Sequence, residues 1–221
     1  MQNITISKEL TDKISGVQLS CIECDVDVVS LNAQLWKEIE LAVINISSSL
    51  KVEEISQMPA VSASRKAYKA CGKDPARYRL SAEALLRRVV NRNEIYQINN
   101  VVDLLNLVSI STGFSIGGYD AEKIEGDIAF GIGKENEPYI GIGRGELNIE
   151  SMPVFRDGKG AFGTPTSDSV RTSVTLNTQR FLMVIIDYGT SSGLLYNATE
   201  MAKRLLVEFA SAKDLESKII R

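Results

Sequence analysis

Phe181-Leu182-Met183-Val184-Ile185-Ile186 is apolar at every position. A short run of this kind without alternation reads as a central strand buried on both faces. The rest of the 221-residue chain must therefore supply cover for it on two sides. Ile4 and Ile6 alternate with polar neighbours, as does Val17-Gln18-Leu19-Ser20-Cys21-Ile22, so the first thirty residues read as β-rich. Leu31, Leu35, Ile39, Ala42, Val43 and Ile46 then recur at helical spacing, up to a stop at Ser47-Ser48-Ser49.

From about 62 to 112 the spacing predicts three helical pieces. Gly72-Lys73-Asp74-Pro75 ends the first, Ser81 is the expected cap of the second, and Gly113 is the natural stop of the third. Within the second, Glu83 and Arg87 form a favourable i,i+4 pair. From 115 to 187 short strands follow, clearest at Ile128-Ala129-Phe130, Tyr139-Ile140-Gly141-Ile142 and Pro153-Val154-Phe155. A last helix is expected from about 192 to 212. Helices and strands come in blocks rather than in strict alternation, which predicts an α+β fold.

Histidine is absent. That excludes Ser-His-Asp and Cys-His catalysis, His-ligated zinc and an imidazole pH switch. No cofactor or metal is implied. Cys21-Ile22-Glu23-Cys24 has C-x-x-C spacing, but residues three apart on a strand point to opposite faces, and only Cys71 remains as a further thiol. The glycines of Gly131-Ile132-Gly133 and of Gly141-Ile142-Gly143-Arg144-Gly145 complete no nucleotide-binding fingerprint and read as strand ends and hairpin turns. Three cysteines suit a reducing compartment. Met1-Gln2-Asn3-Ile4-Thr5-Ile6 lacks the basic and apolar parts of a signal peptide, and no membrane span is evident. The chain reads as cytoplasmic.

Charge is unevenly spread. The chain is net −3, with a pI near 5.2, which argues against bulk polyanion binding. Yet nine basic residues lie between Arg65 and Arg92 against only Asp74 and Glu83. Tyr68 and Tyr78 interleave with them, placed to stack on bases or on packed side chains. The segment is either a solvated helical face or a surface for a nucleic-acid end, where few phosphate contacts form.

Ile98-Asn99-Asn100-Val101-Val102-Asp103-Leu104-Leu105-Asn106, continuing through Gly113 to Tyr119-Asp120-Ala121-Glu122-Lys123, resembles the B3/B4 domain of the bacterial phenylalanyl-tRNA synthetase beta chain. That family reads I-N-N-V-V-D-x-x-N, a helix, a glycine, then F/Y-D-x-x-K. The upstream stretch from Arg65 through Gly72, Asp74-Pro75, Arg77-Tyr78-Arg79, Ser81, Glu83 and Arg87-Arg88 looks like free-standing relatives of the domain. The resemblance covers roughly residues 60–190. It implies an α+β fold with a partly open, barrel-like, mostly antiparallel sheet flanked by helices. Residues 61–221 would form the B3/B4-like domain, with 1–60 packed on it as an N-terminal strand and helix portion.

In the synthetase this domain hydrolyses tyrosine wrongly esterified to tRNA. Asn106 matches an editing-site asparagine. Leu105, Gly117 and Val184 stand where the family has threonine, a pocket histidine and the glutamate that meets the tyrosine hydroxyl. The glycine-rich stretch appears as Thr164-Pro165-Thr166-Ser167-Asp168-Ser169. The implied catalytic set is Asn106, the backbone amides near Gly117 and Gly118, and a hydroxyl from Ser169 or Thr175. Arg77, Arg79, Arg87 and Arg88 are the candidates for the tRNA acceptor end.

Three functions follow. The leading one is a free-standing deacylase acting in trans on a mischarged aminoacyl-tRNA. The others are a non-catalytic module binding tRNA or an amino-acid-like ligand, and a structural partner of a synthetase. The expected partners are tRNA and an aminoacyl group, with a homo-oligomer open and no membrane.

Overall fold

A computed structural model describes residues 1–221, the side chain of Ser192 aside. Strands are β1 (Ile4–Ile6), β2 (Val17–Asp25), β3 (Ser115–Asp120), β4 (Ile128–Ile132), β5 (Ile140–Gly141), β6 (Gly145–Glu146), β7 (Pro153–Asp157), β8 (Gly160–Gly163), β9 (Arg180–Tyr188) and β10 (Lys213–Ile220). Helices are α1 (Lys8–Lys13), α2 (Ala33–Ser49), α3 (Val52–Ile55), α4 (Pro59–Ala70), α5 (Ser81–Val90), α6 (Asn100–Thr112) and α7 (Ser192–Ala210).

The two main sheets have orders β1-β4-β7-β8 and β10-β2-β9-β3. All pairings are antiparallel except β1 with β4. The sheets do not close into a barrel. β9 runs between β2 and β3, and Phe181 to Ile186 are all buried. Its period of two deals Phe181, Met183 and Ile185 to a core shared with α2, α5, α6 and α7. Leu182, Val184 and Ile186 go to a second core, shared with Tyr119, Phe130, Phe155 and Phe162. Each such burial stabilises by about 1.5–3 kcal/mol, so β9 is the hinge of a helix–sheet–sheet stack. Among the described residues, no helix is long and apolar enough to cross a membrane.

Cys21 lies in the second core and Cys24 in the first, on opposite faces of β2. Burial pushes both thiols up to about 12, the wrong direction for metal ligation. Purified protein is therefore expected to carry no stoichiometric zinc, and a chelator should leave its melting temperature unchanged. About one zinc per chain would overturn this geometry.

Four sequence expectations change. α2 runs through the serines, because Ser48 and Ser49 donate back to the Asn45 carbonyl at 2.9 and 2.7 Å. Ser81 is the first helical residue and does not cap α5. Its amide instead donates to the Pro165 carbonyl at 2.8 Å. α1, capped by Ser7, interrupts the β-rich start. α7 stops at Ala210, where Ser211 turns left-handed (φ 51°), and β10 follows.

Candidate functional site

The residues that make the sequence recognisable are scaffold. The Asn99 side chain caps α6 by accepting from the Val102 amide at 2.9 Å. Asn100 accepts from the Val29 amide and donates to the carbonyls of Asp27 and Phe209, tying the entry of α2 to the end of α7. Asp103 accepts from the Ile98 amide at 2.9 Å and the Trp36 indole at 2.8 Å. Gly113 closes α6 at φ 79°, and a Cβ there would crowd Met58 and Val61. Asp120 then accepts from the Thr178 hydroxyl at 2.8 Å and pairs with Lys123 at 3.2 Å. These bonds fix α6 against β3.

On β3, Gly117 and Gly163 of β8 are bare because the Tyr119 phenol lies over both. A Cβ on either would overlap its hydroxyl. The ring meets Phe162 edge-on at 4.9 Å between centroids. Its hydroxyl donates to Asp168 Oδ1 at 3.0 Å, and the Gly118 amide donates to Asp168 Oδ2 at 3.4 Å. The loop carrying Asp168 is clamped on several sides. Tyr68 shares a hydrogen bond with Thr166 (2.9 Å), Tyr139 donates to the Ser167 carbonyl (2.6 Å), and Thr164 donates to the same carbonyl (2.9 Å).

The Asp168 carboxylate lies deep, although the residue keeps some open surface. Burial pushes its pKa up to about 7, against the lowering effect of the Tyr119, Gly118 and Thr164 donors. A carboxyl that titrates near neutrality suits proton transfer.

The expected residues fall at separate places in the structure. Leu105 reaches the other face of Gly118, where its methyl would meet a Cβ. Asn106 follows on α6, half-buried, its side-chain amide paired with no other described residue. The Gly118 amide is taken by Asp168. Ser169 caps a 3-10 turn at Val170–Thr172, accepting from the Arg171 amide at 3.3 Å, so its buried hydroxyl is occupied. Thr175 sits on an exposed turn, where it accepts from the Asn177 amide. Val184 is core. Tyr119 and Asp168 join the site as residues that sequence reasoning does not single out. Their only signal is their position in the tyrosine–aspartate motif and in the stretch that replaces the family's glycines.

Residues 63–210, more than half of the chain, match the B3/4 domain family. The chain belongs to that family. A crystal structure of an N-terminal fragment of the phenylalanyl-tRNA synthetase beta subunit from Pyrococcus horikoshii is similar, at 14% identity and a TM-score of 0.47. The alignment covers 99% of this chain and 50% of that one, so this B3/4 protein spans half the other's length. No curated protein matches it.

The basic segment of this B3/4 domain divides in two. Arg65 and Arg87 clamp Glu83, which is 1% exposed, at 2.8 and 3.0 Å. Lys73 is buried, donating to the carbonyls of Asn148 and Glu150 over the Tyr78 ring, and burial lowers its pKa. Arg88 lies on the Tyr96 ring and donates to the Glu94 carbonyl. Arg77 and Arg79 are exposed and pair with no carboxylate among the described residues. Of the four candidate arginines, these two alone make no hydrogen bond or ion pair with another described residue.

Proposed function

We propose that this B3/4 protein binds the acceptor end of a charged tRNA and hydrolyses a mischarged aminoacyl ester in trans. The observation that carries the reading is the half-buried Asn106 amide, hydrogen-bonded to no other described residue and one residue beyond the Leu105 that packs on Gly118. An aminoacyl ester is already activated, and the vicinal ribose hydroxyl assists proton transfer. The protein then has to position a water and stabilise an oxyanion. Asn106 is the donor to the ester oxygen, and the vicinal ribose hydroxyl of the substrate helps to move the proton.

The test is single-turnover deacylation over a panel of aminoacyl-tRNAs, with thermal melts alongside. Asn106→Ala should lower the rate on the preferred ester by about a hundredfold, the usual loss for one oxyanion donor. No acceleration with any ester, or a fully active Asn106→Ala, sinks the hydrolytic reading.

Tyr119 over Gly117 and Val184 in the core favour a second reading, a non-catalytic module for tRNA or an amino-acid-like ligand. Wherever the partner is tRNA, phosphates have to be held. Arg77→Glu with Arg79→Glu should weaken tRNA binding and reduce the slope of log K against log salt by roughly one for each phosphate no longer neutralised. An unchanged affinity and slope would reject this surface as the tRNA contact.

A further inference from the structure

Between the end of α1, one face of α4 and the start of α7 lies a cavity of about 700 Å³. Its α4 wall is made of small side chains. Ser62, Ala63, Ala67 and Ala70 recur there at helical spacing and leave a groove. Lys66 is the one long side chain of that stripe, and Lys13, the last residue of α1, also lines the cavity. No aspartate or glutamate lines it, and neither lysine pairs with a carboxylate among the described residues. Glu9, one turn before Lys13, is exposed and makes no such pair. In a chain of net charge −3, two uncompensated ammonium groups on one concave surface attract anions locally.

The neutral groups add to that field. α4 and α7 both begin at this cavity, at Pro59 and Ser191, and neither start has a side-chain cap. Their open first-turn amides contribute partial positive charge. The hydroxyls of Ser15, Ser62 and Ser191 bond no other described residue. Tyr188 borders the cavity at 6% exposure, and its buried hydroxyl has no hydrogen-bond partner among the described residues. Burial pushes its pKa well above the ordinary phenol value, so it stays a donor. A buried orphan donor calls for an acceptor.

Charge selects among the anions. A carboxylate or a phosphodiester brings one negative charge, whereas a phosphate monoester near neutral pH brings about two, which matches two lysines. The cavity also falls in the range of about 300–1,000 Å³ common to small-molecule sites, so the ester's organic part has room.

We propose that this cavity binds a phosphate monoester, its dianionic phosphate held by Lys13 and Lys66 and by donors around Pro59 and Ser191. Neither Asn106 nor Arg77 and Arg79 line it, so the site stands apart from the editing reading.

Calorimetric titration of the full chain with inorganic phosphate tests it, followed by adenosine 5′-monophosphate and adenosine. Phosphate should bind saturably, with a dissociation constant on the order of 1 mM. The nucleotide should compete with it, and adenosine should not. Acetate, with a single charge, should compete far more weakly. Lys13→Gln and Lys66→Gln, both at exposed positions, should each weaken phosphate binding about tenfold and leave the melting temperature unchanged. Binding should also weaken below about pH 6, where the monoester takes up its second proton. A short RNA with a 5′-phosphate, set against its 5′-hydroxyl twin, shows whether the monoester arrives free or on a nucleic-acid end. No saturable phosphate binding, lysine variants that bind as well as wild type, or acetate as effective as phosphate would each overturn the proposal. So would loss of phosphate binding in Arg77→Glu with Arg79→Glu, because the anion would then sit on that other surface.

Discussion

Replacing Arg65 and Arg87 together with methionine is expected to destabilise the protein by about 3–5 kcal/mol, because it strands a carboxylate in the interior. Glu83 is 1% exposed and bonds both guanidiniums, one from α4 and one from its own helix. Neither arginine alone should cost as much, since the remaining one still neutralises the charge. At about 2–4 °C per kcal/mol for a chain of this size, the double variant should melt roughly 10 °C lower. Adding Glu83→Met to it should recover much of the loss, because well-packed apolar residues often replace buried ion pairs without penalty. Urea denaturation of the single, double and triple variants decides the matter. A double variant within about 1 kcal/mol of wild type would show that water reaches Glu83. Charge reversal at Arg87 therefore reports on this pair before it reports on RNA.

The second large effect belongs to Asp168. Its folded pKa, about 7, stands above the 3.8 of a free aspartate, and burial is the main cause. Below about pH 4 the proton is held in both states and the folded protein keeps its full advantage. Between about 4 and 7 only the folded state holds it, so stability falls as pH rises, by at most about 1.4 kcal/mol per pH unit. Above the folded pKa that contribution is gone. Asp168→Asn should flatten this descent. Tyr119→Phe removes a donor to the ionised carboxylate and should carry the descent to higher pH. Asp103, also raised by burial, has the same sign. Asp157 and Glu137 have the opposite one, because Arg171 and Arg156 hold them low despite burial. The informative quantity is thus the difference between wild type and Asp168→Asn at each pH. A difference independent of pH from 4 to 7 would falsify the assignment of that titration to Asp168.

What can be read from the chain, and what cannot, divides by range. Phe181 to Ile186 announce a doubly buried strand because burial on both faces leaves no polar position. α6 is legible because Asn99 and Gly113 act within a few residues of themselves, as Asp103 does in taking the Ile98 amide. Asp168 is not, because Thr164-Pro165-Thr166-Ser167-Asp168-Ser169 has the composition of any polar loop. Its character comes from Tyr119 and Gly118, some fifty residues away. β10 escapes sequence reasoning for a related reason. An edge strand needs few apolar residues, so Leu215 and Ile219 among charges give a faint alternation. The arginines are legible as charge. Their availability depends on Glu83, whose burial is a tertiary fact.

The placement of β1 and β2 sets the timing of folding. β1 lies parallel to β4, with Ile4 beside Ile128, and β2 lies between β9 and β10. A ribosome adding about 5–20 residues per second makes β2 on the order of ten seconds before either of its neighbours. Through that interval a strand that ends up buried on both sides has no partner. The helices between can form locally as they emerge, but the central sheet closes only after its last two strands arrive. Newly made chains should therefore depend on chaperone holding more than the stability of the finished protein implies. Slowing translation should do little to help them.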